Sequence, residues 1–154
     1  MAAVFNGFLI NLDFITVILL FLLVVASIID LRTRLIPNFI TIPGALLGLL
    51  LTTLTGRLSF IQALMGIFVP GFIMLLIALI SKGGIGGGDV KLLATIGSFI
   101  GWRMALSSLF WGSVVGSLVS VLLILLRKKK KSDPVPFGPF LTIGVIFSLS
   151  GLVI

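Results

Sequence analysis

The chain has 154 residues, 59% of them hydrophobic and only 10% charged, with a mean hydropathy of +1.38. A water-soluble domain carries about a quarter charged residues, so this composition belongs to a protein whose main solvent is lipid. Eleven Lys and Arg face four Asp, with no His and no Cys; disulfides and thiolate chemistry are excluded, and the commonest general base and metal ligand is missing. Any chemistry must lean on Asp, Lys, Ser, Thr or backbone groups, and no metal or cofactor is expected.

Inside hydrocarbon every backbone polar group must be satisfied internally, which leaves helices or closed barrels. The apolar runs are continuous rather than alternating, so the expected fold is all-α, a polytopic membrane helix bundle. About 20 apolar residues cross a bilayer core. In chain order the spans are expected at 14–29, 39–54, 61–80, 89–100, 104–126 and 140–154, the fourth being the shortest. The first has no basic segment before it and no small-residue cleavage site after it, and reads as a retained span rather than a signal peptide.

Loop charges orient this bundle. With six alternating spans, Arg32, Arg34, Lys82, Lys91 and the basic run 127–131 fall on one face, while the other face holds only Arg57 and Arg103. Positive charge marks the cytoplasm, so both termini are expected on the outer side. Beside a span, the basic run fits anionic lipid headgroups rather than nucleic acid. Small residues recur at four-residue steps: Gly44 and Gly48, then Ser108, Gly112, Gly116 and Ser120, then Gly144 and Ser148. Such faces let helices approach closely in lipid. One bundle, residues 1–154, is the only domain expected, and its oligomeric state is not legible.

Four acids are present. Asp13 and Asp133 fall where solvated, structural roles are expected. Asp30 and Asp89 each sit where a loop of the basic face meets a span, and carboxylates at such positions face a bundle interior or a water-filled cavity. Two convergent aspartates are the minimum equipment for water activation at an amide. One takes the water's proton while its protonated partner donates to the carbonyl oxygen, and a close carboxylate pair holds one shared proton. The bland readings stand beside this one. Asp30 could simply end a helix or pair with Arg34, and Asp89 could cap the fourth helix. Lys91 could hold Asp89 by charge or reach for the membrane surface.

Residues 83–89 read GGIGGGD, with five glycines in six residues before Asp89. Such a stretch is a poor helix, and it is expected to be a bare, movable backbone along which an extended peptide could lie. Pro37 and Asn38 break the chain before the second span. Residues 134–140, PVPFGPF, mark one helix stopping and another starting.

Together D-L-R-x-x-x-I-P-N (30–38), G-x-G-D-x-K-L (86–92), I-G-x-x-x-G-W (96–102) and P-F-G-P-F (136–140) resemble the type IV prepilin leader peptidase family. GxGD alone is also similar to presenilin-like proteases, but those carry a Tyr-Asp pair where this chain has Ile29–Asp30. The resemblance runs from about residue 14 to the end. It implies a bacterial inner-membrane aspartic endopeptidase that uses Asp30 and Asp89. Pro37, Asn38, Gly86, Gly88, Lys91, Pro136, Phe137, Gly138 and Pro139 would line the site or position substrate. The substrate implied is a type IV prepilin or type II secretion pseudopilin, whose short basic leader is removed at the cytoplasmic face. Many members also carry a cysteine-paired zinc domain and methylate the new N-terminus; with no cysteine and about 13 residues before its first span, this chain is expected to be either a peptidase-only member or a trimmed piece of a longer one. So basic a chain has few acids with which to attract a basic leader, and the membrane surface is expected to hold that leader. The alternative reading is a small membrane transporter or cation-binding bundle built on the same two acids, and a third is a non-catalytic partner in pilus assembly.

Overall fold

The computed structural model describes residues 13–81, 85–126 and 136–151, and every regular element among them is helical. Helix α1 (Phe14–Thr33) starts where the Asp13 carboxylate accepts the Thr16 amide at 3.0 Å. It continues past the expected end at residue 29 and closes at Arg34, which adopts a left-handed conformation and donates its amide to the Asp30 carbonyl. Pro37, extended, is the cap of α2 (Asn38–Leu54), and as a proline it disfavours helical backbone in the residue before it, Ile36. A reciprocal cap between Ser59 and Gln62 opens α3 (Phe60–Ile80). The last two helices are α4 (Gly87–Leu125) and α5 (Gly138–Leu149).

Among the described residues five helices stand where six spans were expected, because the stretches at 89–100 and 104–126 belong to one element. By length and composition α1, α3 and α4 can cross a membrane, while α2 and α5 are shorter apolar helices. Yet α4 is not one rod. Gly101, at φ 80° and ψ 164°, breaks it, and the contacts on either side run in opposite directions. Going into the break, Gly88 lies against Ile36, Gly97 against Gly66, and Gly101 beside Leu58. Coming out of it, Met104 accepts from Ser148, Ser108 lies against Gly144, and Gly112 against Phe140. Because Gly138 touches Asp30, the second arm travels back toward the end where the first began. At 1.5 Å per residue these contacts span about 20 Å of the first arm and about 12 Å of the second. Among the described residues α1, α3 and the second arm of α4 thus run one way, and α2, the first arm and α5 the other.

Packing follows the small residues. Gly48 sits against Ser98 and Phe99, Gly116 against Phe140, and Gly144 against the Ser108 carbonyl. Pro70 cannot donate to the carbonyl of Gly66 four residues back, and Gly97 presses its bare Cα face on that freed oxygen, where any side chain would collide with backbone. Hydroxyls bridge the same seams: Thr95 donates to the Thr41 carbonyl at 2.8 Å and Thr52 to that of Ser98 at 3.2 Å. Between them lies a core of Leu19, Leu23, Leu93, Ile96, Phe99 and Leu141. The Asp13 carboxylate pairs with Arg57 at 2.6 Å, tying the start of α1 to the α2–α3 turn at the end away from Asp30.

Candidate active site

At the other end, α2, α4 and α5 all begin, so three positive helix termini gather around the last turn of α1. Asp30 stands in that turn and Asp89 in the first turn of α4, with only 4% and 8% of their surfaces exposed. Asp89 lies within electrostatic reach of Asp30. Each carboxylate is held by a glycine amide: Gly138 donates to Asp30 Oδ2 at 2.8 Å, and Gly86 to Asp89 Oδ2 at 3.2 Å. Asp89 Oδ1 is buried and has no hydrogen-bond partner among the described residues. Two buried carboxylates with one oxygen uncommitted can together bind a water and hand a proton between them.

The glycine segment folds differently from expectation. Gly87 and Gly88 are helical, and Asp89 is not the cap but the third residue of α4, reaching back to the amide of the cap Gly86. That bond replaces the side-chain cap glycine lacks. Gly88 is required for another reason: a Cβ there would stand 2.8 Å from the Cβ of Ile36, so its absence lets the 35–37 segment lie on the first turn of α4. Gly83 and Gly84, expected to move, lie outside the described residues, as do Lys82, Asp133 and the basic run 127–131.

Lys91 does not hold Asp89. Two residues on, it points elsewhere around the helix and donates to Asn38 Oδ1 at 2.7 Å, joining the starts of α2 and α4 at the exposed rim. Among the described residues Asp30 makes no ion pair with Arg34, whose contact with it is backbone alone. Pro37 is half-buried beneath that rim, while Asn38 and Gly86 are exposed. Pro136 and Phe137, both half-buried, lead into α5, and Phe137 packs on the core. Pro139 occupies the first turn of α5, where its missing amide costs nothing. Of the nine accessory residues expected, Gly138 and Gly86 touch the aspartates directly.

Sequence reading missed Ser27 and Thr142. Their hydroxyls meet at 2.8 Å in the interior, one turn from Asp30 and Gly138. The available signal was a polar residue three positions before Asp30 and another four after Gly138, each in an apolar run.

Comparison with known proteins decides the family. The model of the type IV leader peptidase family matches residues 17–121, a stretch that contains both aspartates. The chain belongs to the type IV leader peptidase family. It is similar to prepilin leader peptidase/N-methyltransferases: 38% identical over 132 residues to that of Aeromonas hydrophila, covering 82% of this chain and 45% of the relative. The corresponding figures are 32% over 138 residues for the Bacillus subtilis protein, covering 88% and 54%, and 35% over 127 for that of Pseudomonas aeruginosa, covering 79% and 43%. The chain spans about half the length of the curated relatives it matches. No solved structure matches it significantly. The 136–140 stretch lies beyond the family match, yet it supplies the Asp30 partner, so membership alone does not account for the site.

Proposed function

We propose that this leader peptidase family chain is a membrane aspartic endopeptidase that removes the short basic leader from type IV prepilins or pseudopilins. The observation that carries the reading is the convergence of Asp30 and Asp89, two buried carboxylates 59 residues apart in sequence and on different helices, at one end of the bundle. One carboxylate draws a proton from a water, the water oxygen adds to the scissile carbonyl, and the partner protonates the carbonyl oxygen. The proton taken from the water then passes to the leaving amine as the C–N bond breaks, and the diol hydroxyl returns its proton to the partner carboxylate. No group with a third function is needed.

We further infer six membrane crossings, the break at Gly101 separating the fourth from the fifth. Arg32, Arg34 and Lys91 belong to the end that holds the aspartates, and Arg57 and Arg103 to the opposite one. By the positive-inside rule this favours a cytoplasmic site in the inner membrane and outer termini. A cytoplasmic site suits a leader held by anionic headgroups while its apolar segment enters the bundle.

The test is cleavage of a purified prepilin by the chain in lipid nanodiscs. Wild type yields mature pilin, and Asp30→Asn and Asp89→Asn leave the precursor whole. Mature pilin from either variant overturns the assignment.

A further inference from the structure

We propose that Ser27 and Thr142 are positioning residues for Asp30, acting through three buried hydrogen bonds that, with one turn of α1, close a ring and fix the Gly138 amide against its carboxylate. The inference rests on the reading of Asp30 as one of the reacting pair. The ring has four members. Gly138 donates its amide to Asp30 Oδ2 at 2.8 Å. The Thr142 hydroxyl donates to the Gly138 carbonyl at 3.1 Å. Ser27 and Thr142 share a hydrogen bond of 2.8 Å, and one turn of α1 joins Ser27 to Asp30. A hydroxyl has a single proton; with that of Thr142 directed at Gly138, Ser27 is the donor in the pair. All three side chains are buried, none more than 9% exposed.

The physical need is specific. Rotation of an aspartate about its last bond is soft, so one donor fixes the carboxylate only if the donor is itself fixed. Gly138 is the first residue of α5, and first turns fray. Thr142 ties that turn back on itself, and Ser27 clamps it to α1 three residues before Asp30, on the same helix face. Asp89 needs no such device, because its amide donor, Gly86, lies in its own turn. The two aspartates are thus held differently: Asp89 by local sequence, Asp30 by an interhelical brace.

The experiment measures kcat and KM for prepilin cleavage by the full chain in nanodiscs, with thermal unfolding followed alongside. Thr142→Val keeps the side-chain shape and removes the hydroxyl; Ser27→Ala breaks the ring at its other member and tests the same point should the valine variant fail to fold. Each is expected to lower kcat about tenfold, as misplacement of a reacting group does, with KM within about twofold. Thr142→Ser restores the rate, and the double variant Ser27→Ala/Thr142→Val is no slower than either single one, since one ring can be broken only once. Unchanged kcat in Ser27→Ala and Thr142→Val, failure of Thr142→Ser to restore it, or loss confined to KM overturns the inference. Asp30→Asn separates the two levels: if it is inactive while Ser27→Ala and Thr142→Val are fully active, only the brace falls, whereas an active Asp30→Asn removes the reading beneath it.

Discussion

Gly138 donates its amide to the Asp30 carboxylate across 108 residues of sequence, at 2.8 Å. The contact exists because position 138 has no side chain. A Cβ built there would lie 2.9 Å from Oδ2 of Asp30 and 3.4 Å from its Cβ. A helix N-terminus thereby meets a carboxylate without water between them, which strengthens the bond.

Replacement of Gly138 tests that contact. Gly138 is helical, so alanine would improve local helix propensity while pushing the carboxylate aside. Gly138→Ala is expected to cut prepilin cleavage about a hundredfold, the scale set by ångström misplacement, with unfolding temperature little changed. Full cleavage activity in a folded variant would show that the close approach is not used.

Gly101 makes the opposite case, in which space is available and conformation is not. A Cβ there would meet only the Leu58 side chain, no nearer than 3.6 Å, but φ 80° with ψ 164° belongs to a region open essentially to glycine alone. Gly101→Ala is expected to destabilise the bundle by about 1–3 kcal/mol through backbone strain, read as a lower midpoint in denaturant. An unchanged midpoint would mean that the reversal between the arms of α4 does not depend on this residue.

The Asp13–Arg57 pair carries a pH signature. Partial burial pushes the Asp13 carboxyl up, but the hydroxyl and amide of Thr16 and the Arg57 guanidinium outweigh it and hold the group below its ordinary value of 3.8. A carboxyl lowered on folding contributes stability that is present above its unfolded value and lost as pH falls through the folded one. With 48% of the Asp13 side chain exposed, solvent screening keeps the effect small. Asp13→Asn should lower the thermal midpoint by a degree or two at pH 7, roughly what a few tenths of a kcal/mol produce, and leave it unchanged near pH 2. Equal shifts at both pH values would assign the effect to the hydrogen bonds rather than the charge.

Much of this was legible in the chain. The starts of α2 and α3 fall within a residue of expectation because Pro37 and the Ser59–Gln62 cap are local signals. The recurring small residues found their partners because in lipid close backbone approach is what joins helices. Asp30 and Asp89 were conspicuous as acids in an apolar chain. Other features depend on what lies opposite in space. Lys91 chose Asn38 over Asp89 because of its angle around α4. Gly87 and Gly88 joined a helix despite poor propensity because Ile36 packs on Gly88 and the Asp89 carboxylate accepts the amide of the preceding Gly86.

By itself the sequence determined that the chain lives in lipid, that it is helical, and that two aspartates flank basic, membrane-edge segments. Those conclusions rest on composition, periodicity and short-range spacing, which act within a turn or two of the chain. Only the tertiary structure decided that Gly101 folds α4 back on itself, that Gly138 is the donor to Asp30, and that Ser27 and Thr142 close a ring around it. Such contacts join residues more than a hundred positions apart. They arise from how close two backbones can come, which no local pattern encodes.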